Sequence, residues 1–255
     1  MGILEGRSAI LVGASSGVGY GCALKFAEEG ANVIAAARRV ERLEKPVAEA
    51  AERGFPGKIV PVGCDVAKED DLDAVVARAI GEFGKIDILA CIAQGGMEHQ
   101  TFLMETTALD GRRYYEGGPL YTMLLIQKVF PYMKEQHYGR IITCASGAAV
   151  VPAIGYTAYA MAKGAIMALT RVTAKELGQY GIVTNCFLPV IMNDLYGQDE
   201  QSAAALEMMA KAIPVGYIGK AYEDAGPIVA FLASEGAHYM NGQFIAVCGG
   251  TQIIA

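Results

Sequence analysis

Tyr159 and Lys163 stand four residues apart in the run Tyr159-Ala160-Met161-Ala162-Lys163, and Ser146 lies thirteen residues upstream. On a helix, a spacing of four puts two side chains on one face, one turn apart. A free phenol loses its proton near pH ~10, too high for proton transfer at neutral pH. An ammonium beside it favours the phenolate and lowers that pKa. A serine hydroxyl brought in from a neighbouring strand end can hold a carbonyl oxygen where the phenol proton reaches it. Together the three groups could move a proton on or off an alcohol oxygen. The same spacing also suits a helix with an interfacial tyrosine and a snorkelling lysine, so the surrounding elements must decide.

Ser8-Ala9-Ile10-Leu11-Val12 is a short apolar run. Gly13-Ala14-Ser15-Ser16-Gly17-Val18-Gly19 follows, then a helical pattern through Ala23, Leu24, Phe26 and Ala27 to Gly30. Strand, glycine-rich turn and helix in that order make a phosphate cradle, because glycines admit an anion close to the backbone and the helix N-terminus offers free N–H groups. The glycine spacing is G-x-x-x-G-x-G, not the more widespread G-x-G-x-x-G. Ala31–Ala37 reads as a second strand, ending where a carboxylate would hold the ribose hydroxyls of NAD. Here Arg38 and Arg39 follow instead. Two guanidiniums suit the 2′-phosphate of NADP. A charged hydrogen bond of roughly 1.5–3 kcal/mol corresponds to about a ten- to hundredfold preference for NADP(H) over NAD(H). The same pair could simply open a solvated helix over 39–53.

A third strand is predicted over 58–62, followed by Asp65 and Val66, with Asp65 placed to meet an adenine edge. A helix is expected from about Glu69 to Phe83, with Glu69, Asp70 and Asp71 suited to its N-terminus. A fourth strand is predicted over 86–92. Strands alternating with helices at this pace predict an α/β fold with a parallel, doubly wound sheet. No repeat or linker divides the chain, so a single domain over 1–255 is expected.

Composition narrows the function classes. The 255 residues are 53% hydrophobic with mean hydropathy +0.30. No stretch reaches the ~18 uninterrupted apolar residues of a spanning helix. The nearest, Gly147 to Thr170, is broken by Pro152, Gly155, Lys163 and Gly164. The first seven residues lack the basic start and apolar run of a signal peptide. A net charge of −6 and pI ≈ 5.2 argue against a nucleic-acid partner. Six scattered cysteines without a Cys-x-x-Cys pair read as buried, reduced thiols, and a cytoplasmic location is expected. The three histidines show no metal-ligand spacing, so no metal is expected.

Taken together, these motifs resemble a classical short-chain dehydrogenase/reductase over essentially the whole chain. The resemblance rests on Gly13, Gly17-Val18-Gly19, Asp65-Val66, Ser146, Tyr159 and Lys163, Asn185 to Pro189, and the closing Gly242-Gln243 and Gly249-Gly250. It implies a Rossmann-type sheet of about seven parallel strands with helices on both faces. It implies hydride transfer between nicotinamide and a carbonyl or alcohol carbon, with Ser146, Tyr159 and Lys163 as the catalytic set. It places cofactor contacts at Gly13, Ser15, Ser16, Gly17, Val18, Gly19, Arg38, Arg39, Asp65, Val66, Ala93, Gln94, Tyr159, Lys163, Pro189, Val190 and Ile191. A homotetramer is implied, or a dimer, pairing the helix over 157–177 and the one after Pro119.

The chain also departs from the family pattern. Cys91-Ile92-Ala93-Gln94 replaces Asn-Asn-Ala-Gly, and the family's helix Asn, a fourth member of its catalytic set that holds a proton-relaying water, falls on Gly118. Two glycines before Pro119 disfavour a helix interior, so a helix is expected to start near Pro119. The region 95–118, with Arg112, Arg113, Tyr114 and Tyr115, is then expected to be reshaped. Pro189-Val190 replaces Pro-Gly, the family's cofactor-contacting Thr falls near Asp194, and Cys248 replaces the closing Asp. Residues 193–215 correspond to a substrate lid. Met192, Leu195, Tyr196, Leu206, Met208 and Met209 would line it adaptably, which suits an apolar ketone or secondary alcohol. Two other readings remain: a cofactor-binding protein with little redox turnover, and a lyase or isomerase on the same fold.

Overall fold

The chain, seen in a computed structural model, is described over residues 2–95, 101–151, 154–192 and 200–252. Seven strands, β1 (Ser8–Val12), β2 (Asn32–Ala37), β3 (Ile59–Gly63), β4 (Ile88–Cys91), β5 (Gly139–Cys144), β6 (Ile182–Pro189) and β7 (Phe244–Val247), form one parallel sheet. Their order is β3-β2-β1-β4-β5-β6-β7. The chain winds outward from β1 to β3, then crosses back to lay β4 on the other side of β1. That reversal leaves a crevice beyond the carboxyl ends of β1 and β4, where open α/β sheets bind ligands.

Alternate residues of the central strands feed two cores. Ala9, Leu11, Val33 and Ala35 face one side, where they meet α1 (Gly17–Glu28), α2 (Glu44–Glu52) and, later in the chain, the helix Gly226–Ala233. Ile10, Val12, Ile34 and Leu89 face the other side, against α3 (Glu69–Phe83) and the helix Tyr121–Glu135. Both faces are covered, so the strands read as continuous apolar runs. The bounds expected for β1, for α3 and for the helix over 157–177 coincide with the observed ones.

The segment before Tyr121 overturns one expectation. The helix does not start near Pro119. α4 (Ala108–Tyr115) runs into a π-helical turn, Glu116–Leu120, and on into α5 (Tyr121–Glu135). The start signal lies upstream, in a capping box: the Thr107 N–H donates to Asp110 Oδ2 (2.8 Å) and the Asp110 N–H donates to Thr107 Oγ1 (3.2 Å). In an α-helix the Pro119 ring would meet the carbonyl four residues back. The wider π turn carries Pro119 within the helix. The remaining α-helices among the described residues are α6 (Thr157–Leu177), α7 (Glu200–Ala212) and α8 (Gly226–Ala233).

Candidate active site

The glycine turn, Arg38 and Arg39, Asp65, Ala93 and Gln94, Ser146, and Val190 and Ile191 follow the carboxyl ends of β1, β2, β3, β4, β5 and β6 in turn, on one edge of the sheet. The turn after β1 is pulled under β2, with the Gly13 N–H (2.8 Å) and the Ala14 N–H (3.3 Å) donating to the Ala36 carbonyl. Gly13 has φ +100°, and a Cβ there would stand 2.6 Å from the backbone nitrogen of Ala93. Only glycine allows the turn and the end of β4 to approach so closely. Gly19 is pressed against the Gly13 carbonyl in the same way. Ser16 begins α1 in extended conformation without capping it, so its side chain takes none of the first N–H groups.

A cleft of about 260 Å³ opens on this turn, lined by Ser15, Ser16, Gly17, Lys45, Met192 and Lys220 among others. Arg38 and Arg39 extend from the end of β2, exposed and with no side-chain hydrogen bond or ion pair among the described residues. An uncapped helix N-terminus, a glycine turn and four nearby cations fit the phosphates of a dinucleotide. Lys45 and Lys220 escaped the sequence reading. They lie far from the turn in sequence, and only the fold brings them to it. Asp65 lies after β3, where its Oδ1 accepts from the Ala67 N–H (3.2 Å). Pro189 closes β6, and the Val190 N–H donates to Val247 (2.8 Å) while Ile191 pairs with Gly219. Asp194, Leu195 and Tyr196 fall outside the described residues. Of the proposed lid, Met208 and Met209 are exposed on α7.

The proton-handling groups sit where β5 ends and α6 begins. Ser146 caps a short 3-10 turn, accepting from the Ala148 N–H (3.3 Å). Lys163 lies one turn below Tyr159, with Nζ 5.7 Å from the phenol ring centroid. The ammonium is buried, 2% exposed, and donates to the Cys144 carbonyl (2.7 Å), two residues before Ser146. That bond ties the helix carrying Tyr159 to the strand end carrying Ser146. Burial pushes the Lys163 ammonium below the usual lysine range, with the Cys144 and Cys186 thiols opposing. The Tyr159 ring is braced edge-on by Tyr114 (5.9 Å) and Tyr156 (5.8 Å). Tyr114, buried on α4, packs with Ala158 and Ala162 as well.

The cysteines are structural in character. All six are buried and unpaired with one another. Burial raises the Cys64 and Cys91 thiols to about 12 and Cys186 to about 11. Cys248 goes the other way. Burial raises it, but hydrogen bonds from Thr251 and from the N–H groups of Gln252, Gly250 and Thr251 outweigh that. Among the described residues no group of three His, Cys, Asp or Glu could hold a metal, and no helix is long and apolar enough to cross a membrane.

Residues 13–252 match the family model described as enoyl-(acyl carrier protein) reductase. A 3-oxoacyl-(acyl-carrier-protein) reductase of Thermotoga maritima is 32% identical over 250 residues, covering 98% of this chain and 99% of its own. The chain is a classical short-chain dehydrogenase/reductase. Another relative in this family of oxidoreductases, the 12α-hydroxysteroid dehydrogenase of a Clostridium species, is 33% identical over 98% of each chain. Among solved structures, 7α-hydroxysteroid dehydrogenase complexed with NADH and 7-oxo-glycochenodeoxycholic acid superposes with TM-score 0.86 at 31% identity, covering 97% of this chain and 94% of that one. Levodione reductase superposes with TM-score 0.88 at 28% identity, covering 97% and 98%. The seven-stranded Rossmann-type sheet is shared with these dehydrogenases and reductases.

Proposed function

We propose that this short-chain dehydrogenase/reductase interconverts an apolar ketone and the corresponding secondary alcohol, using NADP(H) in preference to NAD(H). The observation that carries the reading is the buried Lys163 ammonium beneath Tyr159, tied through the Cys144 carbonyl to the strand end that presents Ser146. Bound NADPH would supply a hydride to the carbonyl carbon. Ser146 Oγ and the Tyr159 hydroxyl both donate to the substrate oxygen, orienting the carbonyl and drawing charge onto that oxygen. As the oxygen gains charge, the Tyr159 proton passes to it. The positive field of Lys163 stabilises the phenolate left behind. In the oxidative direction the same groups run in reverse, with Tyr159 accepting the alcohol proton.

Preference for NADP rests on Arg38 and Arg39, two cations at the end of β2 without a protein partner among the described residues. Lys45 and Lys220 add to the positive field around the glycine turn. The apolar substrate class rests on the surface beside Tyr156. The segments 101–106 and 154–157 are joined by a parallel bridge between Thr101 and Tyr156. They expose Phe102, Leu103, Met104 and Ile154, the last two 93% and 81% exposed. An apolar cluster this exposed suits an apolar ligand. The steroid and levodione enzymes among the relatives bear names in keeping with it. Ser146, Tyr159 and Lys163 would act in one chain, and the exposed Met161 and Val172 on α6 suit a homotetramer. Oxidation of NADPH against small, cyclic and steroid-sized ketones tests the reading, and absence of turnover across the panel would overturn it.

A further inference from the structure

Gln94 follows β4 and could have turned toward the cofactor crevice. Its side chain instead enters the helix of the π turn. Nε2 donates to the Gly95 carbonyl (2.9 Å) and to the Tyr114 carbonyl (3.2 Å), which fixes the orientation of the amide. Oε1 then lies buried with no hydrogen-bond partner among the described residues. The amide occupies the space that a side chain at 118 would fill, for a Cβ on Gly118 would stand 2.8 Å from Oε1 and 3.1 Å from Nε2. A Cβ on Gly117 would stand 2.7 Å from Gly95 Cα. The two glycines that disfavour a helix are therefore what admit Gln94 and Gly95. The Gly95 N–H donates to the Gly117 carbonyl (2.9 Å), and the Tyr121 hydroxyl donates to the Ala93 carbonyl (2.8 Å).

The residue whose carbonyl holds this amide is the one whose ring braces Tyr159. Gln94 grips Tyr114 by its backbone, and Tyr114 meets Tyr159 edge to face at 5.9 Å. Burying an amide oxygen without a partner costs free energy, and here the two bonds of Nε2 hold the amide in place. We propose that Gln94 is a positioning residue for Tyr159: its amide, presented from the β4 loop in place of a side chain at position 118, fixes Tyr114 and through it the catalytic ring. This rests on the reading of Tyr159 as proton donor. It accounts for two departures from the family pattern, Gln94 and Gly118, and for the neighbouring Gly117, as a single exchange of one amide between two backbones.

The test is to move the amide back. Proteins labelled with 13C at tyrosine Cζ are compared by NMR, with Tyr159→Phe assigning the Tyr159 signal. Gln94→Ala is expected to displace that signal and to change the Tyr159 ionisation constant by about threefold or more. Gln94→Ala combined with Gly118→Asn, which puts an amide into the vacated space, is expected to restore both. Turnover, where a substrate has been found, should follow, with kcat falling in the single variant and the cofactor KM unmoved. An unchanged Tyr159 signal in folded Gln94→Ala overturns the proposal. So does a folded double variant whose signal stays displaced. Should Gln94→Ala alone not fold, the double variant decides, and its failure to fold also counts against the exchange. The NMR reading needs no substrate. A wild-type protein that reduces nothing therefore overturns the functional reading, while the Tyr159 signal still decides the role of Gln94.

Discussion

Replacing Arg38 and Arg39 together by alanine separates the two nicotinamide cofactors. Both guanidiniums are exposed at the end of β2 and lack a protein partner among the described residues. No internal ion pair is lost, so fold stability should change by less than about 0.5 kcal/mol. A charge-assisted hydrogen bond is worth roughly 1.5–3 kcal/mol, and exposure places these near the lower end. One such bond corresponds to about a tenfold change in Kd, and two to about a hundredfold. The double variant should therefore bind NADPH about 10- to 100-fold more weakly, while NADH, which lacks the 2′-phosphate, moves by less than about threefold. The difference should shrink as salt rises from 0.1 M toward 1 M, because the screening length falls from about 10 Å to about 3 Å. Fluorescence of the reduced nicotinamide reports both affinities directly, and the chain has no tryptophan to confuse the signal. Equal weakening of both cofactors, or wild-type affinity for NADH equal to that for NADPH, would refute the assignment.

Tyr159→Phe should keep NADPH affinity within about twofold and lower kcat by about 10³ or more, as loss of a proton donor requires; substantial residual turnover would sink the role. Gly13→Ala forces a Cβ to 2.6 Å from the Ala93 nitrogen at φ +100°. Thermal denaturation and NADPH titration should both show losses, with stability falling by about 1–3 kcal/mol. Burial holds the folded Lys163 pKa below its unfolded value, so between the two the unfolded chain binds more protons. This residue's contribution to stability should therefore increase as pH rises through that window toward about 10.4. Urea denaturation of wild type against Lys163→Met at several pH values checks the sign, and a flat difference contradicts it. Alkylation mapped by mass spectrometry should find Cys248 modified ahead of the other five cysteines in the native protein. Equal rates at Cys64, Cys91 or Cys186 would contradict the burial argument.

Much of the fold is legible in local sequence signals. The turn Gly13–Gly19 between an apolar strand and a helix is a one-dimensional pattern, as is the acidic start of α3 at Glu69. The spacing of Tyr159 and Lys163 translates directly into one helix face. What escapes such signals depends on tertiary contact. Glu116-Gly117-Gly118-Pro119 looks like a break when propensities are summed along the chain, yet the helix runs through it. The glycines make room for a residue from the loop after β4, and the proline sits in a widened turn. The capping box at Thr107 and Asp110 is the clue in the sequence to the true start. Lys45 and Lys220 reach the glycine turn from two distant segments, and Gln94 is turned from the crevice toward Tyr114; no spacing rule encodes either. Phe102, Leu103 and Met104 become relevant only once the Thr101–Tyr156 bridge sets them beside the Tyr159 site.

The central claim is that Tyr159 passes a proton to a substrate oxygen while NADPH is consumed. Its most direct test is NADPH absorbance against the ketone panel, with NADH and Tyr159→Phe run in parallel. The account predicts NADPH loss with at least one apolar ketone, slower loss with NADH, and near silence in the variant. Tight NADPH binding with no consumption by the wild type, or consumption that survives in Tyr159→Phe, would contradict it.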